Sequence, residues 1–421
     1  MRKISLILIV ILLSIYFTAC YDAHEIGDYG YVTVMGIEQG ASDRYRVTFQ
    51  IPKFGQSGGG ESKGTNKEDE GMNIISVDAP SVISAITIVN TNTSKTINLM
   101  HLKAIVISED LALSGKVVEY IGSLVRYRHI RRTTSVIICK GTAEEFVSAM
   151  KPYEGELITQ TVEELMENSK TIGFFPKITL DDFYDSLKVP YHALLGTYGA
   201  VNKEDKFISG GTTFEGESSN SGDYYAGDIP RKGGQEIELF GSTVFDGSKM
   251  VGKLTGLETQ ALLLVRGELK EAIFSFKDPE APEMVVNIGF SEFDKREVDI
   301  DLNGDRPKIQ VKLKMEGDIL SIQSGINYEN PDKKKILEDA CKKYITEEIK
   351  KTFDKCKEFK ADVFNFGHTA VRQFLTIPEW EEYNWLEKFT NSELKIDINL
   401  IIRRTGKIIR TEPIYSSEGK K

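Results

Sequence analysis

The chain has 421 residues, with 53 lysines and arginines against 63 aspartates and glutamates, for a net charge of −10 at pH 7. A chain with this acidic balance is a poor nucleic-acid binder and does not adhere to anionic lipid through its overall charge. The hydrophobic fraction of 40% is ordinary for a globular protein, and the length predicts two or three domains.

The N-terminus has the order of a bacterial secretion signal. Arg2 and Lys3 precede an apolar run over 4–17, and small residues then lead to Cys20. As a helix the run is about 21 Å long, too short for a hydrocarbon core of about 30 Å. We therefore expect residues 1–19 to be a lipoprotein signal peptide and the thiol of Cys20 to carry a lipid. The alternatives are an ordinary signal peptide and an uncleaved anchor.

Residues 20–200 are predicted to form an N-terminal α+β domain. Alternating residues predict paired strands at 31–38 and 45–51, and a mobile insert rich in Gly and Ser is expected at about 55–71. The elements predicted after the insert are a strand at 73–77, a helix at 78–89, a strand at 101–108, a helix at 108–127, a strand at 133–139, a helix from 142, and helices at 157–166 and 181–187.

Residues 201–280 are predicted to be a middle domain, which begins with a Gly- and Ser-rich loop over 201–234. Residues 281–421 are predicted to be a C-terminal α+β domain. The elements predicted in these two regions are a strand pair at 236–251, a helix at 256–265, and strands at 272–276, 284–289, 296–302, 309–316 and 394–402.

A long amphipathic helix is predicted over 331–359 in the C-terminal domain, because apolar residues recur there every three to four positions. Such a helix normally covers one face of a sheet, and a partner-binding groove is the alternative. The fold class expected is therefore α+β and multi-domain. Its sheets are expected to be mainly antiparallel or mixed, each covered by helices.

The side chains that catalysis or metal binding requires do not occur at the necessary spacing. The chain has no zinc-binding His pair, nucleophile elbow or phosphate-binding loop, and its five histidines are scattered. Cys139, Cys341 and Cys356 are interpreted as core thiols, since the last two lie in one predicted helix roughly 22 Å apart, beyond disulfide reach. We therefore expect no enzymatic activity, no cofactor and no metal.

A short basic cluster lies at 126–132 and contains Arg126, Arg128, Arg131 and Arg132. The plain interpretation is a solvated helix end. The alternative is a patch that faces lipid headgroups or an acidic partner.

Both tryptophans of the chain, Trp380 and Trp385, lie in the segment 361–385. In the same segment Asp362 is suited to cap a short helix, and Gly367 allows a close approach of the backbone. The plain interpretation is a folded corner docked on the long helix. The alternative is an exposed aromatic hot spot for a partner.

A series of motifs extends along nearly the whole chain after the signal. They are Cys20-Tyr-Asp-Ala-His-Glu-Ile-Gly-Asp28, the segment 99–108, the arginine cluster around Arg126, Gly241-Ser-Thr-Val-Phe245, Lys249-Met-Val-Gly252, Leu257-Glu-Thr259, and Asp362-Val-Phe-Asn-Phe-Gly367 with Trp385. In this order they resemble the Ger(x)C lipoproteins, the C subunits of spore germinant receptors. Tyr21 in place of Trp, Phe17 in place of Leu and the two Gly- and Ser-rich inserts depart from the family's pattern.

The resemblance implies three α+β domains in a row, a lipid on Cys20 and a position at the outer face of the spore inner membrane. It also implies assembly with two integral membrane subunits, one of them transporter-like, in a complex that responds to small nutrients. No catalytic residue is known for such C subunits. The expected function is a non-enzymatic lipoprotein subunit required for nutrient-triggered germination, which acts through protein contacts.

Two other classes of protein agree less well with the sequence. A solute-binding lipoprotein that delivers a ligand to a permease needs a two-lobed α/β body with a cleft, and the predicted excess of strand pairs over βαβ units argues against it. A cell-wall hydrolase needs paired carboxylates or a zinc set, and none is evident in the sequence.

Overall fold

The computed structural model describes residues 3–4, 26–53, 71–153, 156–210, 222–293, 296–408, 410–411, 415–416 and 419–420. Cys20 and nearly all of the predicted signal peptide lie outside the described residues. The same holds for nearly all of the insert predicted at 55–71 and for the centre of the loop predicted at 201–234.

Ten strands occur between residues 26 and 254. They are β1 (Tyr29–Tyr31), β2 (Val34–Gln39), β3 (Tyr45–Pro52), β4 (Met72–Ala79), β5 (Thr96–Asn98), β6 (Ala104–Ser108), β7 (Ser135–Cys139), β8 (Leu195–Val201), β9 (Ile237–Asp246) and β10 (Lys249–Leu254). β1 and β5 form a small parallel pair. The other eight form one sheet in the order β10-β9-β8-β7-β6-β2-β3-β4.

The centre of this first sheet is parallel, with β2, β6, β7 and β8 aligned in one direction. The pairs β3–β4 and β9–β10 extend it on either side with antiparallel strands. Every residue of β6 and β7 is buried, as expected for parallel strands covered on both faces. Of the predicted alternatives, mainly antiparallel or mixed, this sheet is mixed, and the apolar runs at β6 and β7 belong to its parallel centre.

Seven helices cover the two faces of this sheet or link its strands. They are α1 (Val82–Val89), α2 (Glu109–Leu113), α3 (Val117–Arg126), α4 (Ala143–Ala149), α5 (Ile158–Glu167), α6 (Ser169–Ile172) and α7 (Leu180–Ser186). The predicted single helix at 108–127 is divided into α2 and α3 because Gly115 between them has a φ of 77°. The N-cap of α1 is Ser81 rather than Asp78, whose carboxylate binds Arg46.

The predicted middle domain at 201–280 has no sheet of its own among the described residues. β9 pairs along β8, and β10 pairs with β9, so both strands belong to the first sheet. The helix α8 (Gly256–Arg266) follows, and the chain then enters a second sheet. β9 and β10 join the first sheet because, without them, β8 would be an unpaired edge strand next to a fully buried parallel centre.

The second sheet consists of β11 (Ala272–Lys277), β12 (Val285–Phe293), β13 (Glu297–Asp301), β14 (Lys308–Ile322) and β15 (Glu393–Arg404). β14 is its longest strand and pairs with β13 over its first part and with β12 over its second, both antiparallel. β15 pairs with β14 in parallel and closes the sheet, as the alternation at 394–402 predicted. A separate short hairpin is formed by β16 (Tyr415–Ser416) and β17 (Gly419–Lys420).

The predicted long helix is present as α9 (Pro331–Glu358). Asn330 caps it, and its buried positions include Leu337, Cys341, Ile345 and Ile349. Because α9 contacts β15 and α8, it covers a face of the second sheet, and the α+β class is confirmed. Three short helices follow it, namely α10 (Phe366–Ala370), α11 (Ile377–Tyr383) and α12 (Trp385–Phe389).

Candidate interaction sites

The amino ends of β2, β6 and β7 lie side by side, because these strands are parallel and adjacent. Backbone hydrogen bonds join the residues before them: Lys103 N–H donates to Thr33 O at 2.9 Å, and Ser135 N–H donates to Lys103 O at 2.9 Å. We call this surface the amino edge and define it by residues 26–33, 99–103 and 127–134. The first described part of the body after Cys20 therefore lies at the same edge as most of the predicted basic cluster.

All four arginines of the basic cluster are exposed. Arg132 pairs with Asp181 at 2.7 Å. Arg126, Arg128 and Arg131 have no carboxylate within 4.0 Å in the part of the chain that the structure describes. The cluster therefore has three cations without a neutralising partner on the described body.

A shallow depression of about 160 Å³ lies at the amino edge. Its lining includes Met100, His101, Lys103 and Arg131, and Met100 is 48% exposed. The ring of His101 lies 4.6 Å from that of Tyr31, edge to face, which ties this depression to β1. Arg131 is thus on the same surface as the start of the described body.

The carboxylates around this depression are already engaged. Glu163 pairs with Lys103, and Glu167 pairs with Lys177 and Lys170. The hydrogen bonds from Lys177 and Lys170 lower the pKa of Glu167 to about 2. The unpaired charge of the depression, that of Arg131, is therefore positive, although the whole chain is acidic.

The tryptophan segment is a folded corner and not an exposed aromatic surface. Trp380 and Trp385 are each 2% exposed, and their rings stack with centroids 5.9 Å apart. The alternative prediction, an exposed hot spot for a partner at these two residues, is wrong because neither ring reaches solvent. The aromatic area is used in the core next to Phe374 and Phe389.

Asp362 organises this corner from a fully buried position. Its carboxylate accepts from the backbone N–H of Gly367 at 2.6 Å, from that of Phe366 at 3.3 Å and from Trp385 Nε1 at 2.9 Å. The first two donors belong to the first turn of α10, whose N-cap is Asn365; the side chain of Asn365 makes no capping hydrogen bond, and Asp362 accepts from this turn instead. Burial raises the pKa of Asp362 to about 6 in spite of these hydrogen bonds.

The same corner joins the second sheet to the first. Ala193 N–H, just before β8, donates to the carbonyl oxygen of Asp362 at 3.0 Å. A Cβ on Gly367 would overlap the carbonyl oxygen of Tyr191 and lie 2.6 Å from Trp385 Nε1. Only glycine allows this approach between the two parts of the chain.

A cleft of about 410 Å³ lies beside this corner, next to α7 and the end of α8. Its polar lining consists of Lys177, Asp182, Asp185, Ser186, His192, Arg266, Glu268 and Asn365. Burial, with smaller contributions from the charges of Arg266 and His368, lowers the pKa of His192 to about 4, so its ring is neutral at pH 7. The buried atoms His192 Nδ1 and Asn365 Oδ1 have no hydrogen-bond partner among the described residues.

A buried ion pair joins α8 to α9. Lys355 Nζ lies 2.6 Å from the carboxylate of Glu258, which is 3% exposed. The same carboxylate accepts from the backbone N–H of Thr255 at 2.8 Å and completes a capping box at the start of α8. Lys355 also donates to the hydroxyl of Tyr225 at 3.2 Å. The Leu257-Glu-Thr259 motif therefore has a structural role in fixing the long helix.

Within the described ranges, no group of three or more His, Cys, Asp and Glu side chains could hold a metal ion. None of the helices in that part of the chain is both long and apolar enough to cross a membrane. Cys139, Cys341 and Cys356 are buried free thiols, as the sequence predicted.

Sequence reasoning found the basic cluster and the capping role of Asp362, but it missed His192, Arg266 and the pair Glu258–Lys355. The capping-box pattern Thr255-x-x-Glu258 was visible in the sequence. The other contacts join residues that are far apart in the sequence, so no local pattern predicts them.

Comparison with known proteins gives two family matches, one after the other along the chain. Residues 22–198 match the model described as "Spore germination protein N-terminal domain". Residues 240–406 match "Spore germination B3/ GerAC like, C-terminal". Together the two matches cover most of the chain in the order in which they were expected.

Individual relatives extend over almost the full length. Spore germination protein KC of Bacillus subtilis (strain 168) is 24% identical over 98% of each chain. Spore germination protein GerQC of Bacillus cereus is 19% identical over 95% of this chain and 98% of its own. The crystal structure of the GerBC protein superposes with a TM-score of 0.52 and 16% identity, covering 87% of this chain and 96% of that one. That likeness shows a common fold.

Proposed function

The chain belongs to the Ger(x)C family of spore germination proteins, the C subunits of germinant receptors, and from this premise we propose that it is a non-enzymatic, lipid-anchored subunit of a nutrient germinant receptor. In this proposal a lipid on Cys20 holds the body at the outer face of the spore inner membrane. The body acts there by contact with two integral membrane subunits, one of them transporter-like.

The observation that carries the proposal is the start of the N-terminal family match at residue 22, two residues after Cys20. The preceding residues are basic, then apolar, then small, which is the order of an export signal. A lipid at this position would leave the matched domains intact on the membrane surface. It would also raise the local concentration of the subunit beside its partners, so that modest interfaces suffice.

A non-catalytic role agrees with the chemistry of the described residues. Asp362, whose pKa is raised by burial, is fully buried and accepts from three N–H donors, so it organises the fold. The buried ion pair Glu258–Lys355 likewise joins two helices. These buried polar groups are engaged in structure and are closed to a substrate.

The test replaces Cys20 by Ala in the native spore-forming cell. We expect the variant to leave the membrane fraction and the germination response to nutrients to fall, because the anchor is lost. Mass spectrometry of the N-terminal peptide reads the lipid directly on the unsubstituted protein. Cys341→Ala is the matched control, since it removes a buried thiol and leaves the anchor unchanged. A membrane-bound, fully responsive Cys20→Ala strain would refute the anchor.

A solute-binding lipoprotein that serves a permease is the second candidate. The observation in its favour is the cleft beside α7, which contains the unpartnered acceptor Asn365 Oδ1 and the neutral His192. The parallel centre of the first sheet contains βαβ connections, so the predicted excess of strand pairs over βαβ units argues less strongly against this class. Titration calorimetry of the purified protein against a panel of amino acids and sugars separates the two candidates. Micromolar binding that Asn365→Ala abolishes would favour solute capture.

A further inference from the structure

We propose that the amino edge of the first sheet lies against anionic lipid headgroups, with Arg126, Arg128 and Arg131 facing the bilayer. This inference rests on the proposed lipid at Cys20 and adds an orientation to it. The acidic remainder of the body then points away from the membrane.

The length of chain between the lipid and the body limits the orientations that are available. Five residues, and so six Cα–Cα steps, separate Cys20 from Ile26, the first described residue of the body. A chain of that length spans at most about 21 Å. Gln39 is the last residue of β2 and lies about 20 Å from Thr33 along the strand. It is therefore about 20 Å farther from the tether than the amino edge is. The short tether therefore keeps the amino edge close to the headgroups.

The arginine segment lies within reach of the same headgroups. β6 separates β2 from β7 in the sheet, and neighbouring strands are about 4.8 Å apart. The end of segment 127–134 is therefore about 10 Å from the start of β2. A tether that brings Thr33 near the bilayer brings this segment near it as well.

The two ends of these strands differ in the number of unpaired cations. Arg128 and Arg131 at the amino edge and Arg126 next to it have no carboxylate partner among the described residues, while Asp181, Glu163 and Glu167 beside the edge are already paired. Asp28 is the exposed acid within the edge itself. At the carboxyl ends of the same parallel strands, or on the helices that follow, most carboxylates are paired: Glu109, Glu144 and Glu145 lie next to Lys253, Arg46 and Lys203. At physiological salt the Debye length is about 8 Å, so the bilayer responds to the near edge and little to the distant carboxylates.

Lipid suits this surface better than an acidic protein partner. The tether leaves little room between the amino edge and the bilayer for a folded domain. Met100, 48% exposed in the same depression as Arg131, adds an apolar side chain beside the cations. Cations with an apolar neighbour match the boundary between headgroups and acyl chains.

The test uses the native lipidated protein with one added thiol. The buried Cys139, Cys341 and Cys356 have raised thiol pKa values because of burial, and Cys20 is occupied by the lipid, so a maleimide dye labels only the added cysteine. Met100→Cys places the dye at the amino edge, and Gln39→Cys places it at the opposite edge. Energy transfer to headgroup-labelled lipid is then measured in phosphatidylcholine vesicles with and without phosphatidylglycerol.

We expect greater transfer from Met100→Cys than from Gln39→Cys, and the difference should increase with phosphatidylglycerol and shrink in about 1 M salt, where the Debye length is about 3 Å. The triple change Arg126→Gln, Arg128→Gln and Arg131→Gln should lower the preference for this orientation about fivefold per arginine. The matched control changes three exposed lysines of α9, namely Lys343, Lys350 and Lys351, to Gln and should leave the transfer unchanged.

The outcomes separate the orientation from the anchor. Equal transfer from the two labels, with the protein still sedimenting with vesicles, overturns the orientation alone. Failure of the native protein to sediment with either vesicle overturns the lipid anchor and this proposal with it. If the triple arginine variant keeps its orientation but loses the membrane subunits in co-purification, the arginines serve a protein partner and the proposal is wrong.

Discussion

The ion pair between Glu258 and Lys355 gives the sharpest test of how the two parts of the chain are held together. Lys355→Met keeps the length of the side chain and removes its charge. The change leaves the Glu258 carboxylate, 3% exposed, with the backbone N–H of Thr255 as its remaining hydrogen-bond donor. We expect the free energy of unfolding to fall, because a buried carboxylate without its cation is costly.

The magnitude follows from the burial of the two partners. Breaking a buried ion pair by removing one member costs about 3–5 kcal/mol. The side chain of Lys355 is 25% exposed and the Thr255 hydrogen bond remains, so we expect the lower end, about 3 kcal/mol. Lys351→Met on the exposed face of α9 is the matched control and should change stability by less than about 0.5 kcal/mol.

The assay is urea unfolding, followed by the fluorescence of the two buried tryptophans. The double variant Glu258→Gln, Lys355→Met should recover at least about 1 kcal/mol relative to Lys355→Met, because a neutral amide oxygen still accepts from Thr255. A cost below about 1 kcal/mol for Lys355→Met would refute the reasoning, as would a double variant no more stable than the single one.

Two further predictions concern the corner organised by Asp362. Gly367→Ala should destabilise the protein by more than about 3 kcal/mol, since its Cβ would overlap the carbonyl oxygen of Tyr191; near-native urea stability would contradict this. The pKa of Asp362 is about 6 in the folded chain against 3.8 as its ordinary value, so the folded state binds more protons between these values and stability contributed by Asp362 rises as pH falls. The advantage of the wild type over Asp362→Asn should therefore increase by about 1 kcal/mol from pH 7 to pH 5, and a difference independent of pH would argue against the raised pKa.

Most individual elements could be predicted from the sequence, because their signals are local. The long helix has a regular apolar spacing and an Asn-Pro start, and β15 alternates along its length. The domain division at 201–280 could not be predicted in this way. Strands β9 and β10 join β8 across 35 residues of intervening chain (202–236), and a pairing over that distance has no local signature.

The same contrast between local and long-range signals applies to the candidate sites. The exposed arginines were recognisable as a run of like charge. The burial of Trp380 and Trp385 depends on whether another part of the chain covers them, and composition alone does not predict that. The cleft residue His192 packs near Arg266 and Asn365 only after the two sheets meet, so its depressed pKa was invisible in the sequence.

β9 and β10 belong to the first sheet but come after all its other strands in the sequence, and this has a consequence for any shortened version of the protein. A polypeptide stopped near residue 201 would contain an intact parallel centre, yet the outer side of β8 would be bare. That side offers unsatisfied N–H and C=O groups along seven residues, six of which are buried in the whole chain. Such a fragment should self-associate through this strand. A fragment extended to residue 254 contains β9 and β10, which pair with this side and cover it.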